Sequence, residues 1–430
     1  MQILIAILAL SFLIIIHELG HFTVAKLSNV KVHEFSLFMG PKLLSFQRGE
    51  TMYSIRAVPL GGYVRMEGEE QASEDERAFN KKPIWIRSLV IAAGPLANIL
   101  LALIIIFCIN LWTGYDTSKV AICDPGSPAY ESGLRKGDEI IKYNGHRIFN
   151  STDVSLFLYG TKAEPADIVV KRDGQTIPMK LKPDIIPANT LKLGISPKEG
   201  YGKDSNLINY IEPDSPADKA GMKKGDRIVK MGDQTVANFR QIRNYLINSK
   251  GGFITVTVQR GSESVPLSVK PIKNGLPEQQ DVGMAFGAEK GGVIPSFTHS
   301  VTYSISIART VYYSIIWLAE RKVPLNQVSG PVGIVSFIGT AVKSGPTIGE
   351  SILRLLNVAA FLSINVGLFN LIPFPALDGS KLLILGVEKI RRKALPPERE
   401  AFISMIGFVL LIALMIFATY NDILRLIGIG

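Results

Sequence analysis

Apolar positions along this chain fall into long runs, helical stripes and short strand-like stretches, and each pattern predicts a different element. From Met1 to Ile16 the only polar side chains are Gln2 and Ser11, and mostly apolar character resumes from Phe22 to Ala25. Such a run predicts a helix that crosses a bilayer. Leu89 to Asn110 and Ala401 to Tyr420 are free of charge and also long enough to span. A fourth run, Leu355 to Ile372, is weaker because it holds Asn357, Asn365 and Asn370. From Phe297 to Leu318 the apolar residues Phe297, Val301, Ile305, Ala308, Val311, Ile315 and Leu318 recur at helical spacing, with His299, Thr302, Ser306, Arg309 and Tyr313 elsewhere on the wheel. That stripe predicts an amphipathic helix lying on the membrane or against the last domain, not a fifth span.

The middle of the chain repeats itself at an offset of 88 residues. Ser127-Pro128-Ala129 returns as Ser215-Pro216-Ala217, Gly133 as Gly221, and Lys136-Gly137-Asp138 as Lys224-Gly225-Asp226. The register still holds at Arg172 with Arg260 and at Pro183 with Pro271, so the region is a duplicated module. Strand-like stretches close in turns such as Asn144-Gly145 and Asp173-Gly174, giving each copy a few short strands around one helix. The phrase Ser-Pro-Ala followed by Gly-Leu/Met-x-Lys-Gly-Asp resembles the PDZ domain of bacterial proteases. That resemblance implies a groove in which a peptide adds as a strand to a sheet edge. Its carboxylate-facing turns would be Leu193-Gly194-Ile195 and Val282-Gly283-Met284, each at the end of its own copy, an order that suits a circularly permuted module.

Charge sets the topology. Ten Lys and Arg residues from Lys26 to Arg87 lie between the first two spans, and Lys389, Arg391, Arg392 and Lys393 lie between the last two. Short basic loops stay on the cytoplasmic side, which puts both chain ends and the stretch from about 113 to 350 outside. The expected division is a first span over 1–27, a cytoplasmic loop with a β-hairpin over 28–83 and a second span over 84–112. Two modules follow over 116–200 and 204–290, with a periplasmic amphipathic helical segment over 293–350. The third span covers 351–387, a basic loop 388–400 and the fourth span 401–422. The 47% apolar content fits this fold class, a four-span α-helical core with a small membrane-associated sheet and two extracytoplasmic α+β domains. A formal net charge of +10 gathers beside the spans, so membrane lipid explains it and nucleic acid is not an expected partner. Cys108 and Cys123 make no disulfide framework.

Chemistry concentrates at the inner end of the first span. His17, Glu18 and His21 spell His-Glu-x-x-His, which on a helix sets two imidazoles on one face for one zinc ion with a carboxylate beside them as general base. Ionisable groups in a membrane helix are costly, which favours function over a pair of core histidines. A catalytic zinc takes three protein ligands, and Val24 and Leu27 occupy the positions where the extended motif has Gly and His. The third ligand must come from elsewhere. Asp378 is the one acid between Ser351 and Val387; Glu34, thirteen residues after His21, is its rival. His17 lies about 24 Å along its helix, near the inner edge of a core about 30 Å thick, and Asp378 lies shortly before the basic cluster, so their depths agree. Asp378 follows two helix-breaking prolines, Pro373 and Pro375, which membrane depth tolerates only where backbone is buried in protein or lines a cavity. The stretch from Met52 to Met66, with Gly61 and Gly62, reads as a hairpin offering a sheet edge.

Taken together, His17-Glu-Leu-Gly-His21, Ala93-Gly94-Pro95-Leu-Ala-Asn98, Ser329-Gly330-Pro331 and Asn370-Leu-Ile-Pro373-Phe-Pro375-Ala-Leu-Asp378-Gly379 resemble the motifs of the site-2 protease family, in particular its Gram-negative sigma-E-regulating type with tandem PDZ domains. The resemblance covers essentially the whole chain. It implies an intramembrane metalloendopeptidase of the bacterial inner membrane with one Zn2+ per chain, held by His17, His21 and Asp378, with Glu18 activating water. It further implies that Asn370, Pro373, Pro375, Gly61 and Gly62 contact the unwound substrate. Implied substrates are single-pass membrane proteins, an anti-sigma factor already trimmed by another protease and remnant signal peptides. A membrane-tethered PDZ adaptor with a structural or absent metal is the alternative, and zinc content with cleavage of a transmembrane substrate separates the two.

Overall fold

The computed structural model describes residues 2–69, 71–161, 164–197, 206–276, 278–325, 328–343 and 347–426. The chain forms two compact units, one of residues 1–115 with 290–430 and one of residues 116–289.

The first unit begins with α1 (Gln2–Leu27), followed by β1 (Val32–Arg48), β2 (Thr51–Met66) and α2 (Ile84–Thr113). Strands β1 and β2 are each long enough to fold back on themselves. Residues Glu34 to Leu37 pair with Arg65 to Gly62 on one side and with Met52 to Ile55 on the other, while Leu44 to Gln47 pair with Ile55 to Met52. The hairpin is therefore a sheet of four segments, bent where Phe38, Gly40 and Gly61 adopt positive φ of 69°, 83° and 74°. Its Gly62–Met66 edge pairs with no further strand among the described residues. Glu34 is spent inside this sheet. Its buried carboxylate accepts from Ser54 Oγ at 2.6 Å and Arg56 Nη2 at 2.9 Å, so it is no free ligand.

The second unit holds the repeat. Its first half runs through β3 (Tyr115–Cys123), α3 (Pro128–Glu131), β4 (Glu139–Tyr143), β5 (His146–Arg147), α4 (Ser151–Thr161), β6 (Ala166–Arg172), β7 (Gln175–Leu181), β8 (Asp184–Ile186), β9 (Leu191–Lys192) and β10 (Ile195–Pro197). The second runs through β11 (Ile208–Ile211), α5 (Pro216–Lys219), β12 (Arg227–Met231), β13 (Gln234–Thr235), α6 (Phe239–Asn248), β14 (Ile254–Arg260), β15 (Glu263–Val269), β16 (Ile272–Lys273), β17 (Gln279–Asp281) and β18 (Met284–Glu289). Matching residues start matching helices: Ser127 Oγ accepts from the Tyr130 N–H and Ser215 Oγ from the Asp218 N–H, each with proline at the first turn.

Pairing exchanges the terminal strands. Strand β18, at the end of the second copy, joins β3 of the first sheet, and β10, at the end of the first copy, joins β11 of the second. The second module is thus one continuous piece inserted into the first, and β8 pairs with β17, and β9 with β16, where the chain passes in and out. Leu193 lies in the buried core of the second module together with Ile208, Ala217 and Ile228. This corrects the division drawn along the sequence, in which each carboxylate-type turn closed its own copy; the division point itself, 200–204, falls outside the described residues.

The first unit resumes with α7 (Val293–Ala319), α8 (Pro331–Lys343), α9 (Ile348–Leu371), α10 (Asp378–Arg391) and α11 (Pro397–Leu426). Four helices, α1, α2, α9 and α11, are long and apolar enough to cross a membrane. Helix α2 is central. A Cβ on Gly20 would fall 2.3 Å from the Ala93 carbonyl oxygen, and one on Gly367 2.7 Å from that of Pro95, so glycines let α1 and α9 approach its backbone. Helix α7 packs against α2 and α9. It buries Ser296, Ser300, Ser306, Ile307, Val311 and Trp317, with Ile307 against Ala102, Ile106 and Ala360, and exposes Phe297, Ile305 and Ile315. Asn110 of α2 donates to Ser300 Oγ at 2.9 Å.

Candidate metal centre

Helix α1 sets His17 and His21 one turn apart on one face, and the start of α10 brings Asp378 to them. His17 Nε2 and His21 Nε2 are 3.1 Å apart, and Asp378 Oδ2 lies 3.0 Å from the first and 3.4 Å from the second. A tetrahedral ion with ligand bonds of about 2.0–2.1 Å has edges of about 3.3–3.4 Å, so these three atoms form a face of the right size. Among the described residues this is the group of three such side chains able to share an ion. Asp378 Oδ2 is buried without a hydrogen-bond partner, an arrangement seldom tolerated unless a ligand completes it. Two imidazoles and a carboxylate are a donor set that suits zinc.

The surroundings fix the imidazoles. His21 Nδ1 lies 2.8 Å from the Val90 carbonyl oxygen, which assigns the proton to that nitrogen and leaves Nε2 as the donor atom. The ring sits where Gly94 has no side chain, since a Cβ there would fall 2.3 Å from Nε2. Gly94 is thus a seat for His21, and Val90 orients it. Neither role is legible from the motif alone, because helix α2 meets α1 only in the fold.

A cavity of about 220 Å³ opens on the three donors, lined also by Glu18, Tyr63, Val64, Met66, Glu69 and Lys381. Glu18 stands beside Gly62, whose missing Cβ would lie 3.6 Å from Glu18 Cγ. The free sheet edge therefore borders the cavity at the carboxylate. Lys381 bonds Glu69 Oε1 at 3.1 Å across the wall. Lys381 follows Asp378 by three residues on one helix, a spacing that signals a shared face; Glu69 carries no comparable signal.

The remaining expected site residues lie elsewhere. Asn370 Nδ2 donates to the Val366 carbonyl of its own helix at 3.0 Å, and Pro373 and Pro375 line a separate apolar cavity against Ile403. His33 pairs with Glu67. In the repeat unit Gly194 and Gly283 have φ of 79° and 63°. Leu193 accepts from the Ala217 N–H at 2.9 Å, and Val282 from the Ala129 N–H at 3.0 Å, so the turn at Ile195 belongs to the second module and that at Met284 to the first.

The family model described as Peptidase family M50 matches residues 5–414. The zinc metalloprotease RasP of Oceanobacillus iheyensis is 30% identical over 438 residues, 98% of each chain. The regulator of sigma-W protease RasP of Bacillus subtilis is 27% identical over 424 residues, 96% of each chain. Among solved structures, the HtrA3 PDZ domain bound to a phage-derived ligand covers 23% of this chain and 91% of its own, at 13% identity and a TM-score of 0.16, too low a score to carry an argument.

Proposed function

The chain belongs to peptidase family M50, the zinc metalloendopeptidases of the site-2 protease type, and from that premise we propose that it cuts the transmembrane helix of single-pass proteins already trimmed outside the membrane. The observation that carries this reading is the convergence of His17, His21 and Asp378 at one end of an apolar helix, with Glu18 and an open sheet edge on the same cavity.

His17, His21 and Asp378 would hold the ion, one per chain, and Val90 would keep the His21 ring aligned. Bound zinc supplies Lewis-acid polarisation and an acidified water at the site. Glu18, which lines the same cavity as the three donors, would take the proton of the attacking water and return it to the leaving amine. A helical substrate hides its peptide bonds in its own hydrogen bonds and must unwind. The Gly62–Met66 edge offers main-chain groups for the unwound segment to join as a strand, with Gly61 supplying the bend that keeps the edge clear. Asn370, which gives one N–H to the Val366 carbonyl, would offer its Oδ1 and second N–H to the unwound backbone, and Pro373 and Pro375 would act by shaping the bend before Asp378.

The basic loops favour an inner-membrane protein with those loops in the cytoplasm and the repeat unit in the periplasm. There the two modules would act as PDZ domains, with β10 and β18 as the open edges that receive or screen the substrate's outer end. An anti-sigma factor is the substrate class this reading favours, by analogy with the relative named for regulation of sigma-W. The test is the zinc-loaded full chain in liposomes with a single-pass model substrate, once with a folded outer domain and once with that domain removed. The trimmed form should be cut and the intact form spared. Equal cutting of both overturns the requirement for trimming, and cutting of neither overturns the endopeptidase reading.

A further inference from the structure

Between α10 and the start of α11 lies an apolar cavity of about 250 Å³, walled by Pro373, Pro375, Leu383, Ile384, Val387 and Ile403. At one end are Arg391 and Lys393. Glu388 also reaches the cavity, but its carboxylate is occupied: one oxygen accepts from Arg87 Nη2 at 2.9 Å and the other from the Leu395 N–H at 2.9 Å. Arg391 and Lys393 are exposed and form no ion pair among the described residues, and Lys389 and Arg392 add to the same charge. The apolar surface continues outward along α10 through Leu383, Val387 and Ile390, the last 84% exposed.

A hydrocarbon-lined slot with unpaired cations at one end matches an amphiphile that carries an acyl chain and a negative head. Leu383 and Arg391 are eight positions apart, about 12 Å along the helix, a span suited to part of one chain below a phosphate. A headgroup that also carries an ammonium would place that charge beside four cations, which disfavours it. We propose that this cavity binds an anionic phospholipid of the leaflet next to the basic loop, its acyl chain between α10 and α11 and its phosphate on Arg391 and Lys393. Only the choice of leaflet rests on the orientation given above. Because Pro373 and Pro375 wall the slot and lead directly into Asp378, an occupied slot braces the bend that presents this carboxylate.

The test uses the full zinc-loaded chain in vesicles containing a photoactivatable phosphatidylglycerol or its phosphatidylcholine counterpart, with labelled peptides mapped by mass spectrometry. Phosphatidylglycerol should label the 383–387 and 403 regions several-fold more strongly. The double variant R391Q/K393Q should abolish that preference, and Ile403→Trp, which fills the slot while leaving the cations, should reduce labelling by both lipids. Equal labelling of the wild type by the two lipids overturns the proposal, as does a preference that survives R391Q/K393Q. Labelling that persists in the filled variant also overturns it, by placing the lipid on the outer surface. Labelling is read without cleavage, so a failure of the protease reading would leave this result standing, and the reverse.

Discussion

Asp138 and Asp226 of the repeat unit and Asp378 of the first unit are held in opposite ways. In the repeat unit Asp138 takes both Nε and Nη2 of Arg172, at 2.6 and 2.7 Å, and Asp226 takes the same atoms of Arg260, both at 2.8 Å. Each arginine also reaches a turn carbonyl, Gly133 in one module and Gly221 in the other. These carboxylates are satisfied by protein alone, and duplication has kept the device twice. Asp378 instead meets two imidazoles while its buried Oδ2 lacks a hydrogen bond. A closed pair holds a fold together, whereas an incomplete triangle of donors is a place for something the chain does not supply.

The sharpest break in that contrast is Asp378→Asn. Loss of the carboxylate should reduce zinc to well below one ion per chain and abolish cleavage, with the repeat unit's hydrogen exchange unchanged. Next is Gly94→Ala, whose Cβ displaces the His21 ring; zinc affinity should fall about 10–100-fold, as for loss of an orienting partner, read by competition with a chelator.

Breaking the closed device has a smaller effect and a different readout. Arg172→Ala should destabilise the first module by about 2–4 kcal/mol, discounted because the guanidinium is partly exposed, and speed hydrogen exchange in β4 and β6 without loss of zinc. Burial alone would raise the Asp138 carboxyl, but hydrogen bonds from Arg172 and the Arg135 N–H outweigh it and hold its pKa below the ordinary range. The folded value is depressed, so this stabilisation is present above the ordinary carboxylate pKa of about 4 and is lost as pH falls through the folded value. Asp124 gives the opposite sign. It is buried with neither oxygen hydrogen-bonded, and burial, then the charge of Asp281, push its pKa up to about 6 against Arg240 and Arg243. Stability should therefore fall as pH rises from about 4 to 6 at this position, and Asp124→Asn should add roughly 1–2 kcal/mol at neutral pH, seen as slower exchange in β3.

The sequence was most legible where chemistry and local geometry coincide. A spacing of four on a helix is enough to put His17 and His21 on one face, and an isolated acid after two prolines is conspicuous. The hairpin's fold-back was hidden because it depends on Phe38 entering positive φ beside Gly40, a choice made by the sheet and not by the residue. The exchange of β10 and β18 was hidden because a repeat reports which residues match, not which strands pair. For helix α7 the stripe predicts an amphipathic helix but not what each face meets; in the fold Ser296, Ser300 and Ser306 turn inward together with Ile307, Val311 and Trp317. The seat at Gly94 and the orienting carbonyl of Val90 belong to the crossing of α1 and α2, and no local pattern encodes a crossing.

The central claim is that the open triangle holds an ion whose hydrolytic use depends on the carboxylate next to it. Zinc content and cleavage of a trimmed transmembrane substrate, measured on the same preparations of wild type and Glu18→Gln, test this directly. The account predicts one zinc per chain in both and a fall of about 10²–10⁴-fold in cleavage for the variant, the range lost with a general base. Wild-type cleavage by Glu18→Gln with its zinc in place would contradict it.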